Sequence, residues 1–303
     1  MLRRVASILT DADVGIRTFS SRSPYMPISI ERRRGTRQTL SVISRAMLAL
    51  TGVVSFPAAH VMAQPTVTAD AMMASGFVWR GIHFTNRPVV QGDVYLTQTV
   101  RKATLTAGAW INAEPADYRA ADAVRMLAPG HHGPALTAIA PWIDATVQTG
   151  RVSLTGGATM YRYPKKTGFA EGYNTTELYA KATAGGALAP RVQVWWDVQK
   201  VRGAYVETAI AHTFNAGIPL VSSLTAGWSA GQEARGTQTA YFVRSGLAAL
   251  DGALGVPLTR GHFTISPSVH AVLANDAATQ LVTPGDPMRR TKLWWSLGGT
   301  WTR

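Results

Sequence analysis

Arg191-Val192-Gln193-Val194-Trp195-Trp196-Asp197-Val198-Gln199 divides cleanly by parity. Val192, Val194, Trp196 and Val198 fall on one parity; Arg191, Gln193, Trp195, Asp197 and Gln199 fall on the other. Successive side chains of a strand point to opposite faces, so this ribbon meets apolar surroundings on one side and water on the other. The pattern recurs on both sides of the stretch. Candidate strands run near 66–81, 87–100, 103–113, 136–148, 151–163, 174–185, 190–200, 203–214, 217–229, 238–258, 262–274 and 291–302. The tenth is interrupted by Asp251-Gly252 and Pro257, so a hairpin there is an alternative.

Alternation is clearest in five segments. Leu105, Ala107, Ala109 and Ile111 oppose Thr104, Thr106, Gly108 and Asn112; Val152, Leu154, Ala158 and Met160 oppose Ser153, Thr155, Thr159 and Tyr161. Ile218, Leu220, Leu224 and Trp228 oppose Ser223, Thr225 and Ser229, and similar splits run through 263–273 and 293–302. Tight links at Arg101-Lys102, Thr149-Gly150, Leu188-Ala189, 214–216 and Arg260-Gly261 alternate with outer connections, three of them long, at 114–135, 164–173 and 275–290. Short turns at one end, longer loops at the other and an even strand count are the habit of outer-membrane barrels. The expectation is an all-β chain forming a single antiparallel transmembrane β-barrel of about 12 strands. Its apolar parity then faces lipid and its polar parity faces the lumen. A soluble barrel would reverse that sign.

Residues 1–63 read as an N-terminal extension and cleaved signal peptide, with the barrel over 64–303. Arg32-Arg33-Arg34, Arg37 and Arg45 precede an apolar stretch from Ala46 to Phe56, then Val61-Met62-Ala63. That order is n-region, h-region and small-residue cleavage site. The apolar core is shorter than the roughly 20 residues a spanning helix needs. Residues before Met26 fit no part of a leader, which leaves Met26 as an alternative start.

Only 16% of residues are charged, below the roughly 25% usual for soluble proteins. There is no cysteine, which excludes disulfides and thiolate metal sites. The net charge is +13; the leader holds nine basic and three acidic residues, leaving +7 for the remainder. No clustered basic stripe of the kind a nucleic-acid groove needs is present, so no nucleic-acid partner is expected. The balance suits anionic head groups or an anion-favouring lumen.

Three stretches carry a family resemblance: Ser75-Gly76-Phe77-Val78-Trp79-Arg80-Gly81 with Pro88-Val89-Val90-Gln91-Gly92; Gly108-Ala109-Trp110-Ile111-Asn112; and Tyr161-Arg162-Tyr163-Pro164 with Tyr173-Asn174-Thr175-Thr176-Glu177-Leu178-Tyr179. In order and spacing they resemble the strands of the TorF-type porin family of proteobacterial outer membranes. The resemblance spans roughly Ser75 to Ala180 and implies an outer-membrane porin-like protein without a defined substrate. Trp301 is followed by Thr302-Arg303, a departure from the terminal aromatic that the barrel-insertion machinery reads.

Candidate lumen-lining charges are Arg80, Asp93, Glu177, Lys181, Arg191, Asp197 and Glu207. Arg80 is expected to pair with Asp93 on the neighbouring strand. Glu177 and Lys181 share one face, with Tyr179 between them. Charged rings set ion preference in pores. Ser268 and His270 also share a face, but positions i and i+2 lie about 6.6 Å apart along a strand, long for a nucleophile–base pair. His131-His132 lacks the nearby ligands a metal needs. Gly156-Gly157 and Gly185-Gly186 read as strand bends. Trp79, Trp142, Tyr161, Tyr163, Tyr173, Trp228, Tyr241, Trp294, Trp295 and Trp301 lie near strand ends, where head-group girdles form.

The function expected is passive diffusion of small solutes or ions through an outer-membrane porin-like channel, with mild anion preference. No enzymatic activity, cofactor or metal is expected. Partners would be outer-membrane lipids, small-molecule solutes and, during biogenesis, periplasmic chaperones and the barrel-insertion machinery. An outer-membrane lipid hydrolase and a closed structural or adhesion barrel are the alternatives. An open, charged lumen favours transport; a plugged one favours the structural role.

Overall fold

The structure, a computed structural model, describes residues 64–85, 87–115, 134–164, 174–233, 235, 240–275 and 291–303. The leader, His131-His132, Tyr173 and most of the three long connections lie outside the described residues.

The chain is all-β. It begins with β1 (Thr66–Ala74), β2 (Phe77–Trp79), β3 (Ile82–Thr85), β4 (Val89–Val100), β5 (Ala103–Glu114) and β6 (Ala135–Thr149). It continues through β7 (Val152–Tyr161), β8 (Thr175–Ala184), β9 (Arg191–Asp197), β10 (Ala204–Ala216) and β11 (Ile218–Ala230). It ends with β12 (Gly246–Gly255), β13 (Leu258–Arg260), β14 (Phe263–Ala274) and β15 (Thr291–Thr302). Twelve of these form a closed antiparallel barrel. The ring runs from β4 to β12 in chain order, then β14, β15 and β1, and β1 pairs back onto β4. The seam between chain ends is complete: Thr68 pairs Thr302, and Val67 and Arg303 exchange backbone hydrogen bonds of 2.8 and 2.9 Å. Full closure leaves no sheet edge.

The parity of each strand has the expected sign. Leu105, Ile111, Leu154, Leu224, Val269 and Leu293 are exposed on the outside, Leu293 at 78%. Thr106, Asn112, Thr155, Thr159 and Gln193 are buried inside. In the opening stretch Trp196 is 59% exposed and Trp195 1%. An apolar outer wall around a polar inner wall is the reverse of a soluble barrel, and so continuous an apolar surface is not tolerated in water. No helix among the described residues is long and apolar enough to cross a membrane.

The first predicted strand, 66–81, is two structures. β1 ends at Ala74, and β2 and β3 form a separate two-stranded sheet. Because Ala74 pairs Val89 directly, the intervening hairpin leaves the wall. It folds into the lumen, where Phe77, Trp79, Ile82 and Phe84 are each 1% exposed. The run is apolar on both parities because both its faces are covered. The tenth segment is a single barrel strand, β12, rather than a hairpin; β13 is a three-residue addition paired to β14.

The aromatic girdle is smaller than expected. Of the expected rings among the described residues, Trp79, Trp142, Tyr161, Tyr163, Tyr241 and Trp294 are buried inside, Trp301 is half-buried, and Trp228 and Trp295 are exposed. Tyr241 packs against the apolar hairpin at Trp79, whereas Trp142 and Trp294 pack against Tyr95 and His270 of the inner wall. Gly157 shows how tightly the interior is filled: a Cβ there would lie 2.6 Å from the Tyr179 ring, which crosses over it.

Candidate functional site

The hairpin turns at Arg80-Gly81, between the paired residues Trp79 and Ile82. Both turn residues have positive φ, 50° and 81°, as a two-residue hairpin turn of this hand requires. Glycine adopts that conformation freely; arginine does so at a cost of about 1 kcal/mol. The tip also fits closely against the opposite wall, since a Cβ on Gly81 would lie 2.5 Å from that of Ala249.

Arg80 is held by Glu177 of β8, not by Asp93. Its Nη1 and Nη2 donate to Oε1 and Oε2 at 2.7 and 2.8 Å, and both side chains are essentially fully buried. Tyr161 Oη donates to Glu177 Oε2 at 3.1 Å. The guanidinium carbon lies 4.2 Å from the Trp79 ring centroid, 4.5 Å from Tyr205 and 5.0 Å from Trp195. A paired, aromatic-boxed charge is the form in which a buried arginine is tolerated. Asp93 instead accepts from Trp142 Nε1 at 3.0 Å.

A second inturned segment completes the closure. Between β11 and β12, Tyr241 packs edge-on to Trp79 at 5.5 Å, and Phe242 stacks on Tyr205 at 5.6 Å. Tyr241 N and Phe242 N both donate to Gln232 O. Glu233 accepts from Ser245 Oγ at 2.9 Å and from Arg235, and the Arg235 hydrogen bond holds its carboxyl below the usual range. Hairpin and loop together fill the end of the barrel opposite the tight turns.

The remaining expected charges all point inward but divide into different tasks. Asp197 accepts four backbone N–H groups, from Gln199, Lys200, Val201 and Arg202, and its Oδ2 accepts from Thr175 Oγ1 at 2.7 Å. It shapes the outer turn after β9. Arg191 approaches Glu207 at 3.6 Å on the adjacent strand. Lys181 lines a chamber of about 770 Å³ in the tight-turn half, together with Lys102, Asp144, Arg191, His212 and many Thr and Ser hydroxyls. Tyr179 Oη donates to Asp144 Oδ2 at 2.8 Å across this wall. A smaller cavity above it, reaching Arg80 and Gly81, is lined by Glu207, Asp251, His270 and Trp294. The two share Arg191, Ser223 and Thr225, so they adjoin along one stretch of wall, the larger on the tight-turn side and the smaller at the hairpin tip.

Ser268 and His270 are closer than strand spacing implied. Their side chains lean together, with Ser268 Oγ 3.1 Å from His270 Nε2 and 2.7 Å from Ser296 Oγ. His270 Nδ1 lies 3.4 Å from Asp251 Oδ1, and the imidazole stacks on Trp294 at 3.8 Å. Nucleophile, base and acid thus line up. Yet Ser268 sits mid-ladder, paired to Gly255 on one side and Ser296 on the other. Backbone donors spent in the sheet are not free to form an oxyanion hole. No group of His, Cys, Asp and Glu among the described residues could hold a metal.

Sequence reasoning missed the hairpin and its aromatic socket. The signal was present: Trp110, Trp142, Tyr179, Trp195 and Tyr205 all fall on polar parities, which makes no sense unless something apolar enters the lumen.

No protein-family model and no curated protein sequence matches the chain. Solved structures of similar shape do exist. An outer membrane channel from Pseudomonas putida F1 aligns at TM-score 0.47 and 10% identity, covering 82% of this chain and 98% of that one. The translocator domain of autotransporter NalP from Neisseria meningitidis aligns at 0.36 and 8% identity, over 86% and 95% of the two chains. The β domain of the Bordetella autotransporter BrkA aligns at 0.35 and 11% identity, over 78% and 97%.

Proposed function

We propose that this chain is an outer-membrane channel for small solutes whose lumen is closed from the loop end by its own β2–β3 hairpin. The observation that carries the reading is the chamber of about 770 Å³ of polar-walled space in one half, below a small cavity that reaches an inserted hairpin, whose tip is fastened by one bidentate ion pair. A barrel built only as a wall has no need of a hollow, hydroxyl-lined half. Twelve strands lie between filled eight-stranded barrels and the wide channels of sixteen or more, a size at which one small hairpin suffices as a stopper. The apolar outer wall supports a bilayer location, and the periplasmic side is the end that carries the tight turns and both barrel termini. Passage is passive, filtered by width and wall charge; Ser268, His270 and Asp251 act as wall residues without catalysis.

The test is solute uptake into proteoliposomes. Wild-type barrels should swell slowly in isosmotic small sugars, and Arg80→Ala barrels faster. A closed structural barrel is the competing reading, favoured by the filled outer half; it predicts no uptake by either protein, and that result would overturn the channel.

A further inference from the structure

Charge along the barrel axis is uneven. The tight-turn end comprises 64–69, 97–106, 145–156, 181–193, 209–222, 252–266 and 298–303. It contains Arg101, Lys102, Arg151, Lys181, Arg191, Arg260 and Arg303, and its acids stand at the upper border, Asp70 paired to Thr300 and Asp144 paired to Thr106. The acids sit higher: Asp144 at the chamber's upper wall opposite Thr106, then Glu177, Asp197, Glu207 and Asp251. Three of the cations, Lys102, Lys181 and Arg191, line the chamber itself. Its only lining carboxylate among the described residues, Asp144, accepts from Tyr179 Oη. The rest of the wall is donor-capable hydroxyl: Thr97, Thr104, Thr106, Thr146, Thr155 and Thr183 among others. Arg191 Nε has no hydrogen-bond partner among the described residues, and above it the buried Trp294 Nε1 is likewise unsatisfied. Both residues line the small cavity at the chamber's top, alongside the carboxylates of Glu207 and Asp251. Unsatisfied buried donors call for an acceptor.

From this we infer that the chamber is a binding site for a small solute bearing two or more negative charges on phosphate or carboxylate oxygens, reached from the tight-turn side. The inference rests on the channel reading only for which side of the membrane the site faces. Low-dielectric walls focus the field of cations inside a cleft. The same charges on exposed turns are screened beyond about 8 Å at physiological salt. Lys181 and Arg191, the latter 3.6 Å from Glu207, therefore act on an enclosed anion, Lys102 acts from the exposed turn at the chamber's mouth, and Arg260 and Arg303 act mainly on the rim. Hydroxyl ladders such as Thr146–Thr155 at 2.8 Å can reorient to donate, so the wall adapts to oxyanions of different shape.

Calorimetric titration of inorganic pyrophosphate into the folded barrel in a neutral, lipid-free detergent tests it. The expected result is saturable one-to-one binding, weakened about tenfold or more, near 1.4 kcal/mol, in Lys102→Gln/Lys181→Gln. The rim control Arg260→Gln/Arg303→Gln should bind within about twofold of wild type, a difference well below that threshold. Heat-modifiable gel mobility confirms that each variant is folded. Absence of saturable binding overturns the inference. So does equal loss in the rim control, which assigns the charges to anionic lipid head groups; binding of all proteins to anionic-lipid vesicles would then depend on the rim pair alone. Because the titration needs no conduction, a barrel that binds pyrophosphate but takes up no solute either as wild type or as Arg80→Ala overturns the channel and leaves this site standing. A conducting barrel that does not bind does the reverse.

Discussion

Arg80 and Glu177 lie 97 residues apart in sequence and meet inside the barrel through two parallel hydrogen bonds of 2.7 and 2.8 Å. One belongs to the inserted hairpin and the other to the wall, so the pair ties the hairpin to the barrel. Removing one partner of a buried pair leaves the other charge uncompensated, at a cost of about 3–5 kcal/mol. That is a large share of the roughly 6–12 kcal/mol gained by burying Phe77, Trp79, Ile82 and Phe84 at about 1.5–3 kcal/mol each, while the twelve-strand ladder is untouched. Glu177→Gln should therefore loosen the hairpin without unfolding the barrel. Limited chymotrypsin digestion checks this: cleavage at Phe77, Trp79 or Phe84 should become rapid in the variant and stay slow in wild type.

Gly81 offers an independent route to the same state. A side chain there meets both an unfavourable φ and the Ala249 methyl. Gly81→Val should expose the hairpin as Glu177→Gln does. Gly81→Ala combined with Ala249→Gly removes the collision but keeps the φ strain of about 1 kcal/mol, so its chymotrypsin cleavage rate should fall between wild type and Gly81→Val.

The sign of the wall is testable at adjacent residues of β11. Leu224 is 51% exposed on the outside and Thr225 points inward into the chamber. Arginine on the lipid face near mid-membrane costs about 2–4 kcal/mol. Leu224→Arg should lower folding stability into phospholipid bilayers by that amount, measured by urea titration. Thr225→Arg, reaching a water-filled chamber, should cost under about 1 kcal/mol.

Ser268 bonds His270, and His270 faces Asp251, but the site lacks free oxyanion donors. Incubation with a fluorophosphonate should leave Ser268 unmodified by mass spectrometry, and Ser268→Ala should take up solutes at the wild-type rate. Stoichiometric labelling lost in His270→Ala would establish a working nucleophile and make the barrel an enzyme.

Much of this fold could be read before any coordinates, because one physical rule repeats twelve times. Period-two alternation with an apolar outer parity places Leu105, Leu154, Leu224 and Val269 on the outside without tertiary knowledge. The closing of the ring followed from even count and alternating connection length. The site was less legible. Phe77-Val78-Trp79 extends the pattern of β1 closely enough to pass for its continuation, and Arg80-Gly81 lacks the Asn-Gly or Asp-Gly signature of a tight hairpin. Arg80's partner lies on a strand far along the chain, so no local spacing could name Glu177 over Asp93. Asp197 looked like a lumen charge because its parity was right; only the backbone of 199–202 reveals that it builds a turn. For Ser268 and His270, Cα spacing along the strand misled, since rotamers close a gap that backbone geometry leaves open.

The most direct measurement is single-channel conductance in planar bilayers of the wild type and of a variant with residues 77–85 replaced by a Gly/Ser linker of equal length. A hairpin that stops the lumen predicts a mostly silent wild type and a variant with long, stable openings. Equal conductance in both, or silence in both with the variant correctly folded, would contradict the account.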